Sequence, residues 1–409
     1  MKEDKIFATK KLVTNFKDNK KAFYGFVRSK QRVKIKVTQI RKTDKNLTQN
    51  DLESAEELSK FFQSVFVNED TGEIPQLELR RERVQQLSTI EITREKVCNK
   101  LSQIQENKSP GPDGIHPKIL KEMANVLDNP LTILFNKSLK EGRLPNEWKC
   151  ANVVSIFKKG SRLEAGNYRP ISLTSIPCKI MESIIRDRLM KHLKDNKLLT
   201  NNQHGFMNNR SCLTNLLETL EQWTQALDDG YEIDAIFLDY QKAFDTVPHR
   251  RLLSKLLTYG VDGDILMWIE NFLTERKMRV IVNGITAKWT RVNSGVPQGS
   301  VLGPILFLLY VNELPDIVKS SIKMFADDTK IWKTLKTDAD VHSLQEDLDT
   351  LEQWSQKWLL KFNIGKCKVM HLGKHQTDDY YLHEEIKLRI LDTTDLEKDL
   401  GIWLSNDLK

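Results

Sequence analysis

Cysteine is scarce and scattered in this sequence. The 409 residues contain five cysteines, at positions 98, 150, 178, 212 and 367, and no C-x-x-C pair. An odd and dispersed set of cysteines favours a reducing compartment and argues against a zinc knuckle in this chain. The sequence therefore excludes a disulfide-stapled secreted scaffold.

Long apolar segments are also missing. The longest apolar run, residues 301–311, contains Gly303 and Pro304 and is too short to span a bilayer. The first residues carry charges of both signs with no apolar stretch behind them, so no secretory signal is visible. There is no internal repeat and no low-complexity tract. With 39% hydrophobic and 29% charged residues, the composition is typical of a globular protein with several subdomains.

Positive charge, by contrast, is concentrated at one end. The formal net charge is +7, yet residues 1–45 alone hold fifteen Lys and Arg residues against four acids. Five aromatic residues interleave with these cations: Phe7, Phe16, Phe23, Tyr24 and Phe26. Cations neutralise phosphates and aromatic rings stack on bases, so this segment is predicted to bind nucleic acid. A solvated basic linker is the alternative.

Apolar periodicity and turn residues predict helices mixed with strands. Helical patterns cover about 52–67, 90–108, 130–142, 179–194, 212–228, 248–260 and 341–358. Pro130 is expected to open the third of these and Gly142 to end it. Strands are predicted within 152–173 and at 235–238, and Asn283-Gly284 predicts a tight hairpin. The elements follow no regular βαβ order, which indicates an α+β fold.

Three carboxylates stand at strand ends or turns. Asp327 and Asp328, in "MFADDTKIW", lie between two short apolar runs that read as the strands of a hairpin. Asp239 closes the apolar run "AIFLD". Aspartate is common in turns, which is the simplest explanation for the pair. However, adjacent like charges are costly unless a cation binds them, and Mg²⁺ takes a few carboxylates with waters and phosphates. The three acids therefore predict a magnesium site if a sheet brings them together.

Basic residues on a second predicted hairpin suit a polyphosphate. Lys158, Lys159 and Arg169 lie on or near the two strands of residues 152–173. Arginine can bind phosphate oxygens in a bidentate manner, and lysine supplies a point charge. These cations are expected to hold the charge of a nucleoside triphosphate.

These stretches, in order, resemble the motifs of one polymerase family. "FLDYQKAFD", "SGVPQGSVLGP" and "FADD" resemble motifs A, B and C of reverse transcriptases. "SPGPDGI", "NYRPISL", "QHGF" and "KFNIGKCKVMHLG" resemble those of the non-LTR (LINE-type) retrotransposon branch, near the jockey group. The resemblance covers about residues 87–404 and implies a right-hand polymerase core with an antiparallel palm sheet. It implies an RNA-directed DNA polymerase that uses an RNA template, a DNA primer or target and deoxynucleoside triphosphates.

The resemblance also assigns roles residue by residue. It implies two Mg²⁺ ions, with Mn²⁺ as the alternative, held by Asp239 and Asp327, with Asp328 completing or supporting the site and the Tyr240 carbonyl adding a ligand. Phe244 takes the steric-gate position under the sugar, and Gln298 and Gly299 line the incoming nucleotide and template. Arg169, with Lys158 or Lys159, contacts the triphosphate. Lys366 is either a proton donor to pyrophosphate or an exposed turn lysine.

The same resemblance divides the chain into regions. Residues 1–89 are expected to be a basic extension or linker to an upstream endonuclease, and residues 90–230 the fingers. Residues 231–375 would form the palm with finger insertions, and residues 376–409 the end of the palm and the start of a truncated thumb. Such enzymes act in the nucleus at the integration site and travel through the cytoplasm as ribonucleoprotein.

Two other functions stay open at this point. An RNA-dependent RNA polymerase shares the palm acids, although Phe244 and "ADD" in place of "GDD" argue against it. An inactive nucleic-acid-binding remnant is the second alternative. Four polar residues are expected to have local structural roles: Asp113 in a turn, His204 as a hydrogen-bonding residue, Asp245 as a cap or salt-bridge partner, and Asp264 as a helix cap.

Overall fold

The computed structural model describes residues 37–69, 72, 74–75, 85–373, 378–384 and 387–408. Most of the basic segment, residues 1–36, therefore lies outside the described residues. The helices are α1 (Asp51–Ser64), α2 (Arg94–Ser102), α3 (Pro117–Glu122), α4 (Ala124–Glu141), α5 (Ile176–Asp195), α6 (Cys212–Asp228), α7 (Ala243–Thr246), α8 (His249–Thr258), α9 (Gly263–Leu273), α10 (Gly303–Val311), α11 (Leu314–Ile317) and α12 (Asp338–Trp358).

The strands alternate irregularly with these helices. They are β1 (Cys150–Phe157), β2 (Tyr168–Leu173), β3 (Glu232–Leu238), β4 (Lys277–Val282), β5 (Ile285–Thr286), β6 (Thr290–Arg291), β7 (Ser321–Phe325), β8 (Asp328–Leu335), β9 (Lys368–Leu372), β10 (Tyr381–Glu384), β11 (Lys387–Ile390), β12 (Asp392–Thr393), β13 (Leu396–Asp399) and β14 (Ile402–Ser405). This mixture confirms the α+β class. In the described part of the chain, every helix is too short or too polar to cross a membrane.

Five strands form what we call sheet I, in the order β2-β1-β4-β5, with β6 also paired to β4. The predicted basic hairpin is present, because β1 and β2 pair antiparallel with Ile156 opposite Arg169. Strand β4 runs parallel to β1 and turns into β5 at Asn283-Gly284, where both residues have positive φ. Such a turn matches the twist of the flanking strands and confirms the hairpin predicted from Asn-Gly.

Five other strands form sheet II, in the order β12-β9-β3-β8-β7. Its central strand β3 pairs antiparallel with β8 and β9, and β7 pairs antiparallel with β8. Only the two-residue strand β12 runs parallel to its neighbour β9. Strand β3 contains the predicted strand residues 235–238 at its carboxyl end, and its buried Asp234 is bonded to His371 and Tyr380.

The main core lies against sheet II. Helices α8, α9, α10 and α12 contribute fully buried side chains, among them Leu252, Trp268, Phe307 and Leu348. The aromatic residues Trp354 and Trp358 of α12 are buried there too. This packing fixes sheet II, and with it the strand ends that carry the predicted acids.

Helix α4 differs from the prediction at its amino end. It begins at Ala124 rather than at Pro130, which lies inside the helix, although Gly142 ends it in a left-handed conformation as expected. Pro130 has no N–H to donate to the Val126 carbonyl four residues earlier, so the helix continues through it with one backbone hydrogen bond fewer. The buried Ala124 and Asp128 anchor the turns ahead of the proline.

The described residues before α2 pack on sheet I. Ile40, Leu58 and Phe62 share one buried cluster with Val153 of β1 and Val280 of β4. Residues 37–69 are therefore integrated with the sheet that carries the basic hairpin. The domain boundaries themselves stay a prediction.

Candidate active site

The three predicted acids lie at one edge of sheet II. Asp239 follows the last residue of β3, and the antiparallel register pairs Leu238 with Thr329, so that Asp239 comes beside Asp328. Asp327 lies in the turn between β7 and β8, which Ala326 allows by adopting a φ of 58°. The pairing of β3 with β8 thus brings Asp239 to the hairpin tip, whose two acids are 88 and 89 positions further along the chain.

A cleft of about 420 Å³ opens at this edge. Asp239 and Asp328 line it, together with Lys158, Lys159 and Lys366. Within the described residues, no three Asp, Glu, His or Cys side chains are arranged so that they could hold a metal ion. Instead, the Lys366 ammonium lies 2.9 Å from Asp239 Oδ2. A lysine therefore provides the positive charge beside this carboxylate.

The carboxylates of the hairpin tip are electrostatically strained. Desolvation raises the pKa of Asp327, and the nearby Asp239 adds to this effect. Desolvation and the Asp327 carboxylate raise the pKa of Asp328 to about 6. Both shifts mean that the ionised forms lack sufficient positive charge around them. A divalent cation would relieve this deficit, and the carboxylates supply the oxygen ligands that Mg²⁺ prefers, although in this structure their side chains are not grouped around one point.

The predicted basic residues face the acids from sheet I. Lys158 follows β1, and Arg169 lies on β2 with an exposed side chain. Desolvation lowers the pKa of Lys158, as do Arg169 and Lys366, whereas Asp239 and Asp327 oppose this shift. Lys159 is exposed at the cleft wall. The cations and acids therefore act on each other across the cleft.

Lys242 belongs to the same basic group and is absent from the set predicted from the sequence. Desolvation lowers its pKa, and Lys366, Lys158 and Arg169 contribute. Its ammonium donates to the Gly166 carbonyl at 3.1 Å and lies 5.3 Å from the ring centre of Phe61. Its place in "DYQKAFD", between Asp239 and Phe244, is the sequence signal that could have identified it.

Tyr240 is held by a strand-like contact on the other side of Asp239. It forms an antiparallel bridge with Phe362, and the two rings stack at 4.8 Å. The flanking hydrogen bonds run from Asn363 N to Asp239 O and from Gln241 N to Lys361 O. The Tyr240 carbonyl takes no part in either bond.

Phe244 lies on α7, directly after these residues, and is half-buried. Its ring stacks on Phe307 of α10, with ring centres 4.5 Å apart and an angle of 21° between the planes. The exposed ring of Phe206 meets it edge to face at 6.4 Å. Phe244 therefore has one face in the core and one edge toward the surface.

The predicted nucleotide-binding loop lies beside α7 and β2. The Gln298 carbonyl accepts a hydrogen bond from Ser172 N at 2.7 Å. Gly299 has a φ of 108°, and a Cβ at this position would lie 2.6 Å from the Ser172 carbonyl oxygen. Glycine is required here because the backbone of the loop must approach β2 closely.

Two polar residues outside the predicted set support the loop and the hairpin tip. The buried Glu182 of α5 accepts from Val301 N at 2.7 Å and from Leu302 N at 3.0 Å, at the start of α10. The side-chain oxygen of Gln203 accepts from Ala326 N at 2.9 Å. A side chain that binds a distant backbone leaves no periodic signal in the sequence, so neither contact could be predicted.

Of the four residues expected to have local structural roles, two have the predicted role and two do not. Asp113 accepts from Ile115 N in a turn, and the buried His204 ring bonds Thr214 and Arg210, which confirms both. Asp264 is not the cap of α9; that position belongs to Asp262, and Asp264 accepts from Thr89 in the first helical turn. Asp245 forms neither a cap nor a salt bridge among the described residues, but binds Gln298.

His204 gives a prediction for the pH dependence of stability. Burial, with Arg210 and Lys323 nearby, lowers the pKa of His204 to about 4, whereas an unfolded histidine titrates near 6.5. Between these values the unfolded chain binds a proton that the folded chain does not, so stability falls as the pH drops. We expect the free energy of unfolding to fall more between pH 7.5 and 5 in the wild type than in His204→Gln, as measured by urea denaturation. Equal losses in the two chains would contradict the assignment.

Comparison with known proteins agrees with the motifs. A family model described as "Reverse transcriptase (RNA-dependent DNA polymerase)" matches residues 156–395. The "Probable RNA-directed DNA polymerase from transposon BS" of Drosophila melanogaster is 30% identical over 77% of this chain and 36% of its own length. The "RNA-directed DNA polymerase from mobile element jockey" of the same species is 31% identical over 68% of this chain and 31% of its own length. The chain thus spans about a third of the length of these curated relatives.

Proposed function

We propose that this chain, which belongs to the reverse transcriptase family, is the polymerase core of a jockey-like non-LTR retrotransposon. Its reaction would be the RNA-templated addition of deoxynucleotides to a DNA primer or target. The observation that carries the proposal is the cleft at the edge of sheet II, where Asp239 and Asp328 meet basic residues from sheet I.

In the proposed reaction, the primer 3′-hydroxyl attacks the α-phosphorus of a deoxynucleoside triphosphate. A new P–O bond forms, the bond to the β-phosphate breaks and pyrophosphate leaves. Asp239, Asp327, Asp328 and the Tyr240 carbonyl would hold two Mg²⁺ ions, or Mn²⁺ in their place. When bound, the ions would favour ionisation of the 3′-hydroxyl and stabilise the charge on the leaving group.

The other residues of the cleft would bind and orient the nucleotide. Arg169, Lys158 and Lys159 would hold the triphosphate, since cations on one hairpin match its charge. Phe244 would lie under the sugar, and Gln298 and Gly299 would line the nucleotide and the template. Most of the catalytic advantage would come from this positioning and electrostatic stabilisation, because phosphoryl transfer needs little covalent help from the protein.

Lys366 has two proposed roles, which differ in the group that its ammonium contacts. As a proton donor it would release Asp239 and approach the leaving pyrophosphate. As a counter-ion it would stay on Asp239, at the 2.9 Å found in the structure. The alternative function is an inactive nucleic-acid-binding remnant.

Primer extension by the purified chain tests the proposal. The assay uses an RNA template, an annealed DNA primer, deoxynucleoside triphosphates and either Mg²⁺ or Mn²⁺. Extension supports the polymerase, and tight binding of the primed template without extension supports the remnant. Replacement of the deoxynucleotides by ribonucleotides distinguishes an RNA polymerase, which would extend the primer at least as well with them.

The basic amino-terminal segment gives a second test. Residues 1–36 hold twelve Lys and Arg residues against three acids, and a deletion that ends there spares the buried Ile40. We expect the deletion to weaken binding of single-stranded RNA. A plot of the logarithm of the binding constant against the logarithm of the salt concentration should also become less steep. The slope should fall by about 0.7 for each phosphate that the segment neutralises in the full-length chain. Fluorescence anisotropy titrations at about 50 to 300 mM salt, where such electrostatic effects are large, measure the affinity for RNA and its salt dependence.

A matched control separates charge from chain length in this test. In the control chain, the twelve Lys and Arg residues of this segment are replaced by Gln with the length unchanged. If charge is responsible, the control binds RNA like the deletion. An affinity and a salt slope that stay at the full-length values in both chains would show that the segment is only a linker.

A further inference from the structure

Two segments of the candidate site are joined along their backbones. These are the turn after β3, residues 243–247, and the loop of residues 294–299. Val296 N donates to Phe244 O at 2.7 Å, and Gly295 N donates to Val247 O at 2.8 Å. Gly295 has a φ of 88°, and a Cβ there would lie 2.6 Å from the Asp245 carbonyl oxygen. The two segments are therefore fixed relative to each other.

The side chain of Asp245 reaches across this junction. Gln298 Nε2 lies 3.0 Å from each of its carboxylate oxygens. Burial raises the pKa of Asp245 to about 6, so the group is ionised at neutral pH. An ionised carboxylate only accepts hydrogen bonds, and the Gln298 amide must therefore present its NH₂ group to Asp245.

The remaining freedom of Gln298 is small. Its carbonyl accepts from Ser172 N, and Glu182 holds the backbone three and four residues later. The two hydrogen bonds from Nε2 to Asp245 then hold the end of the side chain. Within the described part of the chain, Oε1 of Gln298 makes no hydrogen bond, so it is the group available to a ligand.

We propose that Asp245 is a positioning residue that fixes the Gln298 amide with its oxygen free, so that the nucleotide site offers an acceptor here. The proposal rests on the proposed polymerase function. It commits the ligand to a hydrogen-bond donor, either a sugar hydroxyl of the incoming nucleotide or an N–H of a template base. Without Asp245 the amide could turn over and offer a donor, which an N–H of a template base cannot use and to which a sugar hydroxyl could bind only as an acceptor.

The test is a double-mutant cycle with Asp245→Ala and Gln298→Ala. Steady-state incorporation of dTTP on a primed poly(rA) template gives kcat and KM, and anisotropy gives the Kd of the primed template. Because Asp245 acts through Gln298, each single variant should raise KM about tenfold, the effect of removing one hydrogen bond, and the double variant no further. A rise in the template Kd in place of the KM would assign the ligand to the template.

The conservative variant Asp245→Asn keeps an acceptor for Gln298 Nε2. It also offers an N–H, so it no longer fixes which end of the Gln298 amide faces it, and its KM should lie between those of the wild type and of Asp245→Ala. Effects on KM or on the template Kd that multiply in the double variant would overturn the proposal, as would Asp245→Ala with both a wild-type KM and a wild-type template Kd.

A second readout needs no activity. The same four chains are unfolded in urea, and a coupling free energy between the two side chains is expected because they touch. Additive losses of stability would overturn the contact. If the wild-type chain fails to extend a primer, the proposed function fails, and the unfolding cycle still decides whether Asp245 holds Gln298.

Discussion

Asp239→Asn is expected to reduce primer extension by on the order of 10³-fold, the effect of losing one essential charge-stabilising group. The substitution removes the carboxylate charge at the end of β3 while keeping its size. It also leaves Lys366, now 2.9 Å from Asp239 Oδ2, beside a neutral amide. Single-turnover extension of a primed RNA template in Mg²⁺ measures the loss.

Binding of the primed template should be retained or strengthened in Asp239→Asn. Carboxylates in the cleft repel the phosphates of a primed template, so the Kd of Asp239→Asn should be equal to or below the wild-type value. A defect in chemistry with retained binding would distinguish a metal ligand from a residue that shapes the cleft. Asp327→Asn should behave in the same way as Asp239→Asn.

Asp195→Asn is the matched control. Asp195 is exposed at the end of α5, where it pairs with Lys191 at 2.7 Å. The same chemical change there should leave extension unchanged, because surface ion pairs contribute little. If Asp239→Asn extends primers as fast as Asp195→Asn, the catalytic assignment of the three acids is wrong.

The features predicted from the sequence are those with local signals. The apolar run before Asp239, the hairpin around Asp327 and the Asn283-Gly284 turn each follow from strand alternation and turn chemistry. The meeting of Asp239 with Asp328 is not local, and periodicity alone does not predict it. Only the order of three motifs, which is the order found in reverse transcriptases, predicts that these acids meet.

The features that the sequence does not predict are contacts between distant polar residues. Asp245 looks like an ordinary first-turn acid in "KAFDT", but its partner Gln298 is 53 positions away. Gln203 and Glu182 likewise support backbone groups in other segments. The prediction for Pro130 is wrong for another reason, since the packing of Ala124 and Asp128 extends α4 past a residue that normally begins a helix.

Phe244 carries the last prediction, which concerns the choice of sugar. Phe244→Ala or Phe244→Val is expected to raise incorporation of ribonucleotides relative to deoxynucleotides by roughly 10²-fold. A ring under the sugar leaves no room for a 2′-hydroxyl, and its removal opens that space. Competition between dCTP and CTP on one RNA template measures the ratio in an active chain.

The structure also supports a simpler role for Phe244, as a core residue. Its ring stacks on the fully buried Phe307, and large-to-small changes in a core cost about 3–5 kcal/mol. Because Phe244 is only half-buried, its truncation should cost less than this. Loss of stability alone therefore cannot decide between the two roles.

Phe307→Leu separates the two roles, because it loosens the same stacked pair from the core side and leaves the Phe244 ring in place. If the ring is the gate, Phe307→Leu lowers stability without changing the preference for deoxynucleotides, whereas Phe244→Val changes that preference. If the pair is only core, both variants lose stability and neither changes the ratio of the two sugars. A wild-type ratio in Phe244→Val would thus show that another residue excludes the 2′-hydroxyl.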